Sequence, residues 1–169
     1  ADDVPTGGDS LNSWKPIGDK SNHFQGTFDG DGHTISGLYI DFTGTYKSKN
    51  AGKVYQGLFG YVEGGTVQNL IVTGSVAVKN ELNKNVSYIG GIVGYTDGTV
   101  QNCGFYGTIS AKKNVLESPT DCSTTNNGGV VGNGEATNCW YFCTDIENAS
   151  LLGVLGSYND IDCCYQNVS

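Results

Sequence analysis

The sequence predicts an all-β fold built as a stack of coils, a β-solenoid, and three observations lead there. Gly57-Leu58-Phe59-Gly60 recurs as Gly91-Ile92-Val93-Gly94, Gly129-Val130-Val131-Gly132 and Gly153-Val154-Leu155-Gly156. A Gly-apolar-apolar-Gly unit returning at long spacing marks stacked repeats, not a single globular core. Each unit is followed by a turn and a second apolar run, holding Asn69, Asn102, Asn138 and finally Asp162. The shortest interval, Asn138 to Asp162, matches one bare turn of a three-sided solenoid, about 24 residues for three short strands and three corners. Apolar residues nowhere recur at helical spacing over a long stretch, whereas Val, Ile and aromatics alternate as in strands.

Taken in order, residues 1–13 are polar and read as an extended lead-in, and 14–169 as one solenoid domain. Phe24, Gly26 and Phe28 alternate as a strand with one buried face. Asp29-Gly30-Asp31-Gly32 is a turn, because Asp and Gly tolerate positive φ. A strand resumes at Thr34 to Phe42, with Ile35, Leu38 and Ile40 facing the core. The repeats follow as paired strands: 57–62 with 66–78, 90–95 with 99–111, 128–132 with 137–145, and 153–156 with 161–168. Insertions fall at 43–56, 79–87, 112–127 and 144–150, always between the long strand and the next glycine unit. In register, those insertions emerge along one edge.

Composition narrows the function classes. Glycine contributes 26 of 169 residues and proline only 3, which indicates many tight turns without low complexity. The formal net charge is -8 and all 9 basic residues are lysines, so a phosphate-neutralising surface for nucleic acid is not expected. No run approaches the roughly 20 apolar residues of a membrane-spanning helix. Six cysteines point to an oxidising compartment, and Ala1-Asp2-Asp3 reads as a mature start after removal of an export signal. A secreted or cell-surface location is therefore expected.

The glycine units, with the Trp14 to Leu38 segment before them, resemble the GLUG repeat of secreted and surface bacterial proteins. Gly57-Leu58-Phe59-Gly60 fits the pattern closely, and the other copies place Ile or Val where it has leucine. The fourth copy departs most, with Asp162 in place of Asn and Cys163-Cys164 after it. The resemblance covers most of 14–169. It implies a right-handed parallel β-helix, about five coils here, displayed outside the cell, and it brings no catalytic residues.

Stacked coils place equivalent residues over one another. Asn69, Asn102, Asn138 and Asp162 form one expected column, a corner ladder of side-chain amides. Val72, Phe105, Tyr141 and Tyr165 form a core column, and Leu70, Cys103, Cys139 and Cys163 another. The disulfide candidates are Cys103, Cys122, Cys139, Cys143, Cys163 and Cys164. Cys103–Cys139 and Cys139–Cys163 are both feasible across neighbouring coils, and the connectivity stays open. Cys139 and Cys143 have a metal-like spacing but no second pair and no nearby histidine, so no metal is expected. Asp29-Gly30-Asp31-Gly32 opens like a calcium loop but lacks the later acidic ligand. With only His23 and His33 and no arginine, neither a Ser-His-Asp triad nor a pectin-cleaving site is expected. No enzyme and no cofactor follow.

What remains is a surface. Lys47, Lys49, Lys53, Lys79, Lys84, Lys112 and Lys113 all lie in the insertions, whose summed charge runs from +3 through +1 and 0 to -2 along the stack. Lysines also guard strand edges, but the pattern fits a binding edge for a surface protein or polysaccharide. Ile161 to Val168 reads as an ordinary coil with no cap, so head-to-tail assembly into a filament is the alternative function. A sugar-binding solenoid using exposed Tyr61 and Tyr95 is a third. Asn85, Asn148 and Asn167 begin glycosylation sequons.

Overall fold

The computed structural model describes residues 13–44, 53–80, 87–113, 125–143, 154–155, 161–162 and 165–168. It is all-β, and its strands lie parallel in three sheets. The large sheet contains β1 (Thr27–Asp29), β2 (Thr34–Gly44), β5 (Thr66–Asn80), β8 (Thr99–Lys113), β11 (Ala136–Thr137), β12 (Trp140–Cys143), β13 (Ile161–Asp162) and β14 (Tyr165–Val168). A second holds β4 (Phe59–Val62), β7 (Val93–Thr96) and β10 (Val131–Asn133). The third holds β3 (Val54–Gln56), β6 (Ser87–Gly90) and β9 (Thr125–Gly128). From β3 onward the chain visits the third, second and large sheets in the same order on three successive passes, an arrangement consistent with a β-solenoid.

The first half of each glycine unit is a corner, not a strand. Gly57-Leu58, Gly91-Ile92 and Gly129-Val130 are bends that carry the chain from the third sheet into the second. Space explains their glycines. A Cβ on Gly91 would lie 2.3 Å from the Phe105 ring, and one on Gly129 would lie 2.1 Å from the Tyr141 ring. Gly91 and Gly129 thus each seat an aromatic side chain from the large sheet, whereas Gly57 faces only backbone oxygens of Phe59, Gly90 and Ile92. The closing glycines sit where backbones converge: a Cβ on Gly132 would lie 2.5 Å from the Ile89 nitrogen and 2.6 Å from the Gly94 oxygen.

The core is a set of columns running through the coils. Phe59, Val93 and Val131 stack in the second sheet, and Leu70 pairs with Cys103 in the large one. Val72, Phe105 and Tyr141 pair in register and are each at most 2% exposed. Leu38 and Ile40 are buried as expected, whereas Ile35 is only partly covered.

Four expectations need correction. The first concerns the insertions. Their trailing ends form β3, β6 and β9, the third face of the stack, and Lys79, Lys112 and Lys113 fall within β5 and β8. These strands are three or four residues long and follow inserts of unequal length, so no period marked them. The second concerns the last coil. Thr137, not Asn138, pairs with Asp162, and Trp140, not Tyr141, pairs with Tyr165. Tyr141 pairs with Gln166 instead. The coil is one residue longer than equal spacing assumed, so Asp162 does not extend the asparagine column.

The third correction is to the segment before the repeats. Phe24 makes only an isolated bridge to Val62, and the strand begins at Thr27. The fourth is to the cysteines. Cys103 and Cys139 are free buried thiols, so the bridge that stacking made feasible between them is not formed. Each thiol turns back to a backbone oxygen of its own strand segment, Gln101 at 3.1 Å and Thr137 at 3.3 Å. The Cys103 hydrogen bond and burial both push the Cys139 thiol up, which keeps it protonated. Cys122, Cys163, Cys164, Lys47, Lys49, Lys84, Asn85 and Asn148 lie outside the described residues. Cys143 and Asn167 are placed by their backbones in β12 and β14.

Candidate functional site: amide ladders and an outer aromatic face

Asn69, Asn102 and Asn138 carry the long strands around a bend. Their φ angles are 55, 53 and 51°, the left-handed region that Asn tolerates better than most residues. Stacked there, their amides form the expected ladder. Asn138 Nδ2 donates to Asn102 Oδ1 at 2.7 Å, and Asn102 Nδ2 donates to Asn69 Oδ1 at 3.1 Å. Asn69 Nδ2 then donates to Asp29 Oδ1 at 3.0 Å.

A second ladder runs beside the first. Gln101 Nε2 donates to Gln68 Oε1 at 2.7 Å, and Gln68 Nε2 donates to Asp29 Oδ2 at 2.7 Å. Asp29 therefore terminates both ladders, one on each carboxylate oxygen. A carboxylate only accepts, so it fixes the direction in which every amide above it points. Asp29 Oδ1 also accepts the Asp31 backbone N–H at 2.9 Å, which closes the turn. This turn, read in sequence beside a calcium loop, has its leading carboxylate occupied by amides. Among the described residues, no three or more His, Cys, Asp or Glu are grouped to hold a metal.

The Asn69 amide, the Asp31 N–H and the Gln68 amide hold the Asp29 carboxyl below its ordinary value of 3.8. A depressed folded-state value means that ionised Asp29 stabilises the fold above its unfolded-state value. That contribution is lost as pH falls through the folded-state value. Resistance of the wild type to urea is therefore expected to weaken as pH drops below the ordinary carboxylate range. Asp29→Asn should lose part of that acid dependence. Equal acid dependence in both proteins would show that Asp29 does not anchor the ladders.

Tyr61 and Tyr95, expected as exposed sugar platforms, are half-buried. Their rings lie 4.7 Å apart, and they pack against Tyr55 and Tyr88, which stack at 5.4 Å and 13°. Burial, with the neighbouring tyrosines, pushes Tyr55 up to about 12. Lys53, one of the expected edge lysines, is exposed and places Nζ 5.3 Å from the centre of the Tyr88 ring. His23 Nε2 lies 2.6 Å from Glu63 Oε2 beside this cluster. The four rings face one another and form a corner seam, leaving little open face.

The open aromatic surface is elsewhere, on the outer face of the large sheet. Tyr106 and Phe142 pair in register and stack at 4.9 Å and 10°, with Tyr106 45% exposed. Trp140 stands two residues before Phe142, on the same face, and pairs with Gly104. This face was not singled out in sequence. The available signal was alternation: an inward Tyr141 puts Trp140 and Phe142 outside.

No family model matches the sequence. Two curated relatives are similar to parts of the chain. Over 90 residues, 53% of this chain, it is 33% identical to a "Putative Gly-rich membrane protein" of Evansella cellulosilytica and spans 9% of that protein. Over 120 residues, 70% of this chain, it is 30% identical to "Halomucin" of Haloquadratum walsbyi and spans 1% of it. The chain thus spans less than a tenth of the length of either. No solved structure matches. Among the described residues, no helix is long and apolar enough to cross a membrane.

Proposed function

We propose that the chain is a non-catalytic module of an extracellular surface protein. It is a right-handed parallel β-helix of about five coils, with repeats of the GLUG type. Its loop edge binds a surface protein or polysaccharide. One observation carries the reading. Segments 45–52, 81–86 and 114–124 each join a strand of the large sheet (β2, β5 or β8) to one of the third sheet (β3, β6 or β9). Because the strands are parallel and in register, the strand ends that flank these segments lie at the same junction of the stack. Similarity to a glycine-rich membrane protein and to halomucin, each far longer than this chain, supports a repeated module in a large surface protein.

Replacing 45–52 and 114–124 with short Gly-Ser links spares β3 and β9, which a deletion of 43–56 and 112–127 would destroy. Beads coated with the variant should lose attachment to cell envelopes while far-UV circular dichroism keeps its β signal. Unchanged attachment would remove the loop edge from the function.

The second reading is a subunit that assembles end to end. It is favoured by an apolar mouth of about 250 Å³ at the first described rung, lined by Trp14, Ile17, Phe28, Leu38 and Leu58, where Ile17 is 37% exposed. Electron microscopy at high protein concentration should then show filaments. Discrete particles would reject that reading.

A further inference from the structure

A groove of about 420 Å³ crosses the outer face of the large sheet. Trp140, Ile71, Asn69, Asn102 and Asp31 line it, and Trp140 and Ile71 both flank Gly104 in register. Trp140 has room there because its partner is glycine. A Cβ on Gly104 would lie 2.0 Å from the indole, so the ring lies over the Gly104 backbone. Beyond Trp140 on the same face, the stacked Tyr106 and Phe142 rings continue the aromatic surface.

The asparagines supply matched hydrogen-bonding groups. A carboxamide has two N–H donors and two acceptor lone pairs. Within the ladder, Asn69 donates once to Asp29 and accepts once from Asn102. Asn102 donates once to Asn69 and accepts once from Asn138. Each amide therefore keeps one donor and one acceptor, side by side and repeated at the coil spacing. A row of paired donors and acceptors in the same groove as an aromatic ring suits a ligand with an apolar face and hydroxyl edges.

We propose that this groove binds a neutral polysaccharide. A sugar ring lays its C–H face on the Trp140 indole, and its hydroxyls exchange hydrogen bonds with Asn69 and Asn102. The chemistry of the lining selects this class. An anionic chain would meet Asp31 on a protein of net charge -8. A purely apolar partner would leave the amides buried without partners, a cost that hydroxyls avoid. The site lies on the sheet face, so it is separate from the loop edge and does not depend on it.

Affinity electrophoresis of the full chain tests the proposal, using gels cast with soluble β-glucan, mannan or galactomannan, and with polygalacturonate as the anionic comparison. The wild type should be retarded in at least one neutral gel and not by polygalacturonate. Trp140→Ala should weaken that retardation about tenfold, the equivalent of one aromatic contact. Ile71→Gln, which changes the groove lining without touching the inward columns, serves as a second variant should Trp140→Ala fold poorly, and should also weaken retardation. The loop-replacement protein should be retarded like the wild type. Absence of retardation in every neutral gel, retardation by polygalacturonate alone, or retardation unchanged in both point variants would overturn the proposal.

Discussion

Replacing Gly91 with valine is expected to destabilise the protein by about 3 kcal/mol. Gly91 is the first glycine of its unit, and the Phe105 ring lies where its side chain would begin. A Cβ there would also come within 2.5 Å of the Gly129 backbone oxygen, which belongs to the next coil. The ring and the adjoining backbone are both fixed by stacking above and below, so neither yields cheaply. The urea midpoint measures the loss. Repeating the substitution in a Phe105→Val background separates the two causes, because the preceding coil already has Val72 at that position of the column. The cost should be smaller there, leaving the part due to the Gly129 oxygen. An equal cost in both backgrounds would mean that the glycine does not serve as the seat of the ring.

Asn102→Ala should cost about 2–3 kcal/mol, from a left-handed backbone that alanine adopts poorly and from two broken ladder bonds. Asn102→Gly keeps the backbone conformation and loses only the bonds, so it should cost about 1 kcal/mol. The difference between the two variants isolates the backbone contribution, which a contact map of the folded state would not reveal. If alanine and glycine proved equally destabilising, the φ of 53° at Asn102 would not be a constraint on the sequence.

The asparagine column was legible because three asparagines recur after the glycine unit at near-constant spacing, and a stack turns such spacing into contact. Its base was not. In the first coil Asp29-Gly30 stands where later coils have Gln68-Asn69 and Gln101-Asn102, and the eye takes Asp-Gly for a turn. The pairing of Asp29 with Gln68 shows that it is also the terminal acceptor of two ladders. Similarly, the glycine unit was readable as a repeat, while its purpose as a corner that seats Phe105 and Tyr141 depends on a different sheet.

The third face stayed hidden for a physical reason. Val54–Gln56 and Ser87–Gly90 are too short to show a period, and they follow inserts of unequal length. The last coil was misregistered because one extra residue shifts every pair by one, and a strand shifted by one exchanges its faces. The tyrosines were misplaced in the opposite sense. Tyr61 and Tyr95 look like surface residues by spacing, but Tyr55 and Tyr88 arrive from the third sheet to cover them.

Parallel, in-register stacking underlies the ladders, the glycine seats and the groove alike, and the proposed loop edge rests on it. Scalar couplings across hydrogen bonds, measured by NMR on the isotope-labelled chain, read that pairing directly. Couplings should link the Phe59 N–H to the Ile92 carbonyl, the Gly91 N–H to the Gly129 carbonyl and the Ile92 N–H to the Val130 carbonyl, contacts of 2.8, 3.1 and 3.0 Å. Couplings that instead joined these segments in antiparallel order, or offset by a residue, would contradict the stack and everything built on it.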